Sequence, residues 1–97
     1  MRYDIILAPE AIEDLARLKA AYRTAVKAAL EVHLRHQPTK PSRSRIKRLR
    51  GLSRPQYRLR VGDFRVFYDV ADGTVEVLAI IPKSEASAWL NQFGKPQ

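Results

Sequence analysis

The stretch that decides the fold is Tyr57-Arg58-Leu59-Arg60-Val61-Gly62-Asp63-Phe64-Arg65-Val66-Phe67-Tyr68-Asp69-Val70-Ala71-Asp72-Gly73-Thr74-Val75-Glu76-Val77-Leu78-Ala79-Ile80-Ile81. Residues 56–61, 64–71 and 74–81 are rich in β-branched and aromatic side chains, the composition of strands. Gly62-Asp63 and Asp72-Gly73 separate them, and Asp-Gly between two such runs is a strong two-residue hairpin signal. The pattern predicts a three-stranded antiparallel meander. Two-residue loops also set the register: Val61 opposite Phe64, Arg60 opposite Arg65, Val70 opposite Val75, and Asp69 opposite Glu76. Because side chains alternate faces, Tyr57, Leu59, Val61, Phe64, Val66, Tyr68, Val70, Val75, Val77, Ala79 and Ile81 share a core face. Arg58, Arg60, Arg65, Phe67, Asp69, Glu76, Leu78 and Ile80 share the other. Arg60 directly opposite Arg65, with Arg58 two residues along, is a destabilising like-charge arrangement unless an anion binds there. The bland alternative is that the guanidiniums splay into solvent, or pair with Asp63 or the C-terminus.

Working outward, Pro82 closes the meander and Ser84 is placed to cap a short helix from residue 85 to about 93. Upstream, Tyr3-Asp4-Ile5-Ile6-Leu7 reads as a short strand. Pro9 suits a first helical position, with Glu10, Glu13 and Asp14 at the positive end of the helix dipole. Ile12, Leu15, Ala16 and Leu18, then Tyr22, Ala25, Val26, Ala29, Leu30 and Leu34, keep a helical period to about His36. Either one long helix or a hairpin broken around residues 19–23 fits, since no Gly or Pro decides it. Gln37-Pro38 ends the helix, and Pro41, Ser42 and Ser44 make a loop.

With 97 residues and 45% hydrophobic composition, the chain predicts one folded α+β domain spanning residues 1–97. It has no cysteine, so disulfide frameworks, thiolate zinc sites and cysteine nucleophiles are excluded. No apolar run approaches the roughly 18 residues of a membrane span, and Asp4 interrupts the early apolar stretch, so a cytoplasmic protein without a signal peptide or membrane partner is expected. The net charge is +8, and it is unevenly placed. Residues 37–60 hold nine basic side chains and no acidic one, so that quarter carries +9 and the rest −1. A solvated face would normally include some acids. A surface for a polyanion, most commonly nucleic acid, accounts better for the segregation.

Lys47-Arg48-Leu49-Arg50-Gly51-Leu52, followed by Tyr57-Arg58-Leu59-Arg60-Val61-Gly62-Asp63-Phe64-Arg65-Val66-Phe67-Tyr68, resembles the core of the RelE/ParE superfamily of bacterial toxins. The β-helix-helix-βββ order is similar as well, over nearly the whole chain. The resemblance implies a RelE-like α+β fold: an N-terminal strand, a helical hairpin, the meander and a short C-terminal helix. In the RelE branch it implies a ribosome-dependent mRNA endonuclease (an mRNA interferase) that cuts codons in the A site and stops translation. In the ParE branch it implies a gyrase poison. Both branches imply a hetero-oligomer with a cognate antitoxin that wraps an extended or helical segment over the toxin. Residue by residue, Arg58 and Arg60 match two basic residues before the turn, and Arg65 the arginine after it. Lys83 falls at an arginine position of a later basic cluster, and Trp89 at the aromatic position near the C-terminus. The usual Gly there is replaced by Ile81, and the other basic residues by Ser84 and Glu85.

RNA cleavage by 2′-hydroxyl attack needs deprotonation of the hydroxyl, stabilisation of the phosphorane's charge, and protonation of the departing 5′-oxygen. Arg58, Arg60 and Arg65 offer planar donor forks for phosphate oxygens. Arginine stays protonated and cannot be the base; Lys83, beside three arginines, is the best candidate, with Glu85 second. Lys47, Arg48, Arg50 and Arg54 would dock RNA electrostatically, and Trp89 would stack on a base, pack in the core or lie under the antitoxin. His33 and His36 stand at i, i+3 on a helix but lack a third metal ligand, so neither a metal nor a cofactor is expected. Three functions remain: the interferase, the gyrase poison that the thin catalytic set after Ile81 favours, and a catalytically weak module binding RNA or antitoxin.

Overall fold

The computed structural model describes residues 1–97. Its strands are β1 (Asp4–Leu7), β2 (Ile46–Arg48), β3 (Leu52–Arg54), β4 (Tyr57–Val61), β5 (Phe64–Ala71), β6 (Thr74–Pro82) and β7 (Lys95–Pro96). Its helices are α1 (Pro9–Ala16), α2 (Ala20–Leu34) and α3 (Ala86–Phe93). The expected meander, β4-β5-β6, forms the centre of a five-stranded sheet ordered β1-β6-β5-β4-β2. Asp72 and Gly73 both take positive φ, 52° and 75°, the paired left-handed conformation that an Asp-Gly hairpin turn requires. The register around both turns is the expected one, including Arg60 opposite Arg65 and Asp69 opposite Glu76.

Three strands were not foreseen. β2 extends the sheet antiparallel to β4, with Lys47 opposite Arg58, inside what read as a basic loop. β3 pairs with β7 in a separate two-stranded ribbon. β1 runs parallel to β6, Asp4 opposite Thr74 through Leu7 opposite Val77. The helical segment is a hairpin, broken at residues 17–19 rather than 19–23. No Gly or Pro is needed, because the Arg23 guanidinium takes the Leu18 carbonyl at 2.8 Å and satisfies the break. Ala11 and Leu15 of α1, with Val26, Leu30 and Leu34 of α2, bury one stripe against the sheet face carrying Leu59, Val61, Val66, Tyr68, Val75 and Val77.

The expected faces fail in one place. The register slips between Phe67 (opposite Ala79) and Tyr68 (opposite Val77), leaving Leu78 as the extra residue of a β-bulge. Beyond it the alternation inverts: Ile80 joins the helix-side core, while Ala79 and Ile81 turn to the opposite face. The Asp14 carboxylate of α1 accepts the Ile80 N–H at 3.0 Å, tying the helix to the strand just past the bulge. The second face is therefore not simply a charged surface. Phe67, Ala79 and Ile81 form a small second core under Ala86, Trp89 and Leu90 of α3. Ser84 does not cap α3; a 3₁₀ turn over Lys83–Glu85 leads into the helix without a side-chain cap.

Tyr68 illustrates how the core is tied to the loops. Fully buried, it donates its hydroxyl to the Pro38 carbonyl at 2.6 Å, and burial pushes its phenol well above the ordinary value. Tyr68→Phe should leave that carbonyl unpartnered and cost about 1–3 kcal/mol. Urea unfolding monitored by circular dichroism checks this; an unchanged midpoint would mean water replaces the hydroxyl.

Candidate polyanion-binding face

The second sheet face carries two like-charge pairs with opposite treatment. At one end Asp69 stands opposite Glu76. Arg54 reaches over both, Nη1 to Asp69 at 3.0 Å and Nη2 to Glu76 at 3.2 Å. Asp69 also accepts the Gln56 N–H at 2.7 Å. At the other end Arg60 stands opposite Arg65, with Arg58 and then Lys47 in the adjoining row. No carboxylate answers these cations: the ion pairs are Arg17–Asp14, Arg35–Glu31, Arg54–Asp69 and Arg54–Glu76. The pairing with Asp63 or the C-terminus that would make the cluster bland does not form.

The three arginines differ in freedom. Arg65 is buried at 8% exposure, its Nη1 donating to the Gly62 and Phe64 carbonyls at 3.0 and 2.9 Å. The β4–β5 turn thus holds it in one orientation. Arg58 is half-buried, and its Nε is buried without a hydrogen-bond partner. Burial first, then the charges of Arg65 and Arg60, push its guanidinium below the ordinary arginine value, although it remains charged at neutral pH. Arg60 is exposed at the surface. The arrangement is a fixed, a partly desolvated and an exposed guanidinium on one face, which suits an anion held through several oxygens.

The remaining expected site residues scatter. Lys83 is exposed, and its backbone N–H donates to the Asp63 carbonyl at 2.7 Å. That places it at the same end of the sheet as Arg65 but outside the arginine rows, beside an open depression also lined by Ser84. Glu85 is exposed too. Lys47 shares the arginine face, whereas Arg48 lies over the Tyr57 ring, 5.0 Å from its centroid, on the opposite face. Arg50 is exposed in the turn before β3. Arg54, expected to dock RNA, is instead committed to Asp69 and Glu76. Trp89 stacks flat on Phe67, centroids 5.0 Å apart and planes within 3°, so its packing is with the second core. Missed from the sequence were Lys47's row opposite Arg58 and the apolar floor that Phe67 makes beside it; the alternation Arg45-Ile46-Lys47 was the available signal.

These features define a small α+β protein with a preorganised cationic sheet face. A family model described as the ParE toxin of type II toxin-antitoxin systems, parDE, matches residues 5–87, and the chain belongs to that family. No curated relative matches it. Among solved structures it is similar to the RelE toxin of Escherichia coli, an arginine double mutant in the free state. That likeness has 26% identity and a TM-score of 0.70, over 94% of this chain and 93% of that one. The toxin-antitoxin complex RelBE2 of Mycobacterium tuberculosis is similar at 25% identity and a TM-score of 0.62, over 84% and 99%. The RelE–RelB complex of Pyrococcus horikoshii shares the fold at 24% identity and a TM-score of 0.70, over 86% and 97%. The RelE/ParE resemblance and the RelE-like α+β fold both stand. No helix is long and apolar enough to cross a membrane.

Proposed function

We propose that this toxin acts on RNA as a ribosome-dependent mRNA endonuclease, held in check by a cognate antitoxin. One observation carries the reading: the acidic pair on the second sheet face is bridged by Arg54, while the Arg60–Arg65 pair at the other end of that face is left without a counter-charge. A phosphodiester is the counter-charge this reading supplies. Arg65, clamped by turn carbonyls, and Arg58, half-buried in the next row, hold the non-bridging oxygens and stabilise the phosphorane as its charge develops. The 2′-oxygen forms the new bond to phosphorus and the bond to the 5′-oxygen breaks. Lys83, expected from the sequence to be the base, lies outside the arginine rows, so the 2′-proton passes to water and water returns a proton to the 5′-oxygen. Lys47 and Arg50 add electrostatic attraction for the strand.

The reading is tested by adding purified toxin to a cell-free translation extract and mapping mRNA ends. The expected result is arrest of translation with cuts inside codons, only when ribosomes are present. The match to the ParE family favours a second reading, a gyrase poison. Intact translation together with loss of gyrase supercoiling would establish that reading and overturn the first.

A further inference from the structure

A depression of about 410 Å3 lies between the C-terminal end of α2 and the loop leading into β2. His33, His36, Lys40, Ser42, Ser44 and Arg45 supply its polar lining, and no carboxylate is among its residues. Each of the other four main depressions contains at least one, whether Glu10, Asp63, or Asp69 with Glu76. Lys40 and Arg45 take part in none of the ion pairs. The loop is ordered without a ligand: Ser42 Oγ accepts the Arg45 and Ile46 N–H groups, both at 3.0 Å. The Ser42 N–H donates in turn to the Ile46 carbonyl at 2.9 Å.

Arg45 links the cleft to β4, the strand that carries Arg58 and Arg60. The Arg60 N–H donates to the Arg45 carbonyl at 2.9 Å, and Arg45 Nη1 reaches the Arg60 carbonyl at 3.5 Å. Arg45 therefore stands at the sheet edge between the cleft and Arg60. Cations near a helix C-terminus are favourable for the helix dipole alone. A dipole does not require two serines beside them, nor the exclusion of every acid from a whole cleft. Burial, and then the Arg45 charge, hold His33 below its ordinary value, so its ring is neutral at neutral pH and free to gain a proton beside an anion.

We propose that this cleft seats a second phosphate of the RNA strand whose scissile phosphate lies on the arginine face, Lys40 and Arg45 binding it and the His33 and His36 rings facing it. The inference rests on the RNA-binding reading above. It gives the strand a direction: from the arginine rows over the β2 edge towards the end of α2. The cleft is then a positioning site, separate from the chemistry.

The test uses the full chain and a labelled single-stranded RNA hexamer, followed by anisotropy across a range of salt. Imidazole NMR signals are recorded with the same RNA and, separately, with inorganic phosphate. The expected result is that RNA shifts the His33 and His36 signals. Replacing both Lys40→Gln and Arg45→Gln should weaken RNA about tenfold and lower the salt slope by about 0.7 for each phosphate no longer neutralised. Both side chains are exposed, and a one-dimensional spectrum verifies the fold of the variant. If the double variant keeps wild-type affinity and slope, the cleft proposal is overturned while RNA binding stands. If phosphate moves the histidines but RNA does not, the cleft holds an anion other than RNA and the proposal is overturned, while cleavage on the ribosome is judged by the translation extract. Should neither ligand perturb the histidines, the cleft proposal is likewise overturned.

Discussion

Arg58→Met is expected to abolish toxin activity and at the same time make the protein more stable. The two effects have one cause. The Arg58 guanidinium is partly desolvated, faces Arg60 and Arg65, and has a buried Nε with no partner. An unmade hydrogen bond on a buried donor costs about 1–3 kcal/mol. Solvent screens the exposed part of this head group, which brings the expected gain from methionine down to about 1 kcal/mol. For a domain of this size that raises the thermal midpoint by about 4–8 °C. Removing one preorganised donor from a transition-state anion lowers the rate by about 10²–10³-fold. Calorimetry and a cleavage assay on the same preparation measure both. A thermal midpoint lower than that of the wild type would mean that Arg58 is a structural tie, and cleavage at the wild-type rate would remove it from the site. A destabilised cluster kept for activity is what a function–stability trade-off predicts.

The legible parts of this fold are those set by local chemistry. Asp72-Gly73 could be read because two adjacent positive φ values admit few residue pairs. Its register then followed, and with it both like-charge pairs. The pairing of Asp69 with Glu76 already implied a nearby cation; Arg54 is that cation, and its role was recoverable from the same step that exposed Arg60–Arg65. The bulge at Leu78 was not recoverable. From Val77 to Pro82 every residue is apolar, so a slip by one residue changes no polar position and leaves no mark on the pattern. The inverted faces of Ala79, Ile80 and Ile81 follow from that silence. β2 escaped for a related reason: its only mark is the alternation Arg45-Ile46-Lys47 around one buried residue, too short to set a period. Trp89 was undecided between base stacking, core packing and a place under the antitoxin because its partner Phe67 is distant in sequence and lies on a face expected to be open.

Phe67→Ala should be among the most damaging substitutions in the chain, and it should act from the face opposite the main core. Phe67 is fully buried, stacked under Trp89, and packed with Ala79 and Ile81. α3 has no fully buried residue of its own, so its attachment depends on what the sheet offers it. Truncating a buried phenylalanine costs about 3–5 kcal/mol, a large part of a typical domain's stability. Trp89 is the only tryptophan, which makes its fluorescence a local report on α3. In Phe67→Ala the emission should shift red in buffer, before the main unfolding transition, as the indole loses its stacked partner. Phe67→Leu keeps most of the apolar packing and should retain α3 with a smaller loss, about 1–1.5 kcal/mol. If the alanine variant keeps wild-type emission and a single unchanged transition, α3 is held by the β3–β7 ribbon rather than by Phe67. Because Phe67 sits in the same cross-strand row as Arg58 and Lys47, the alanine variant also removes the apolar floor beside the arginines. Its RNA affinity should therefore fall even under conditions where circular dichroism reports a folded sheet, which ties the second core directly to the cationic face it borders.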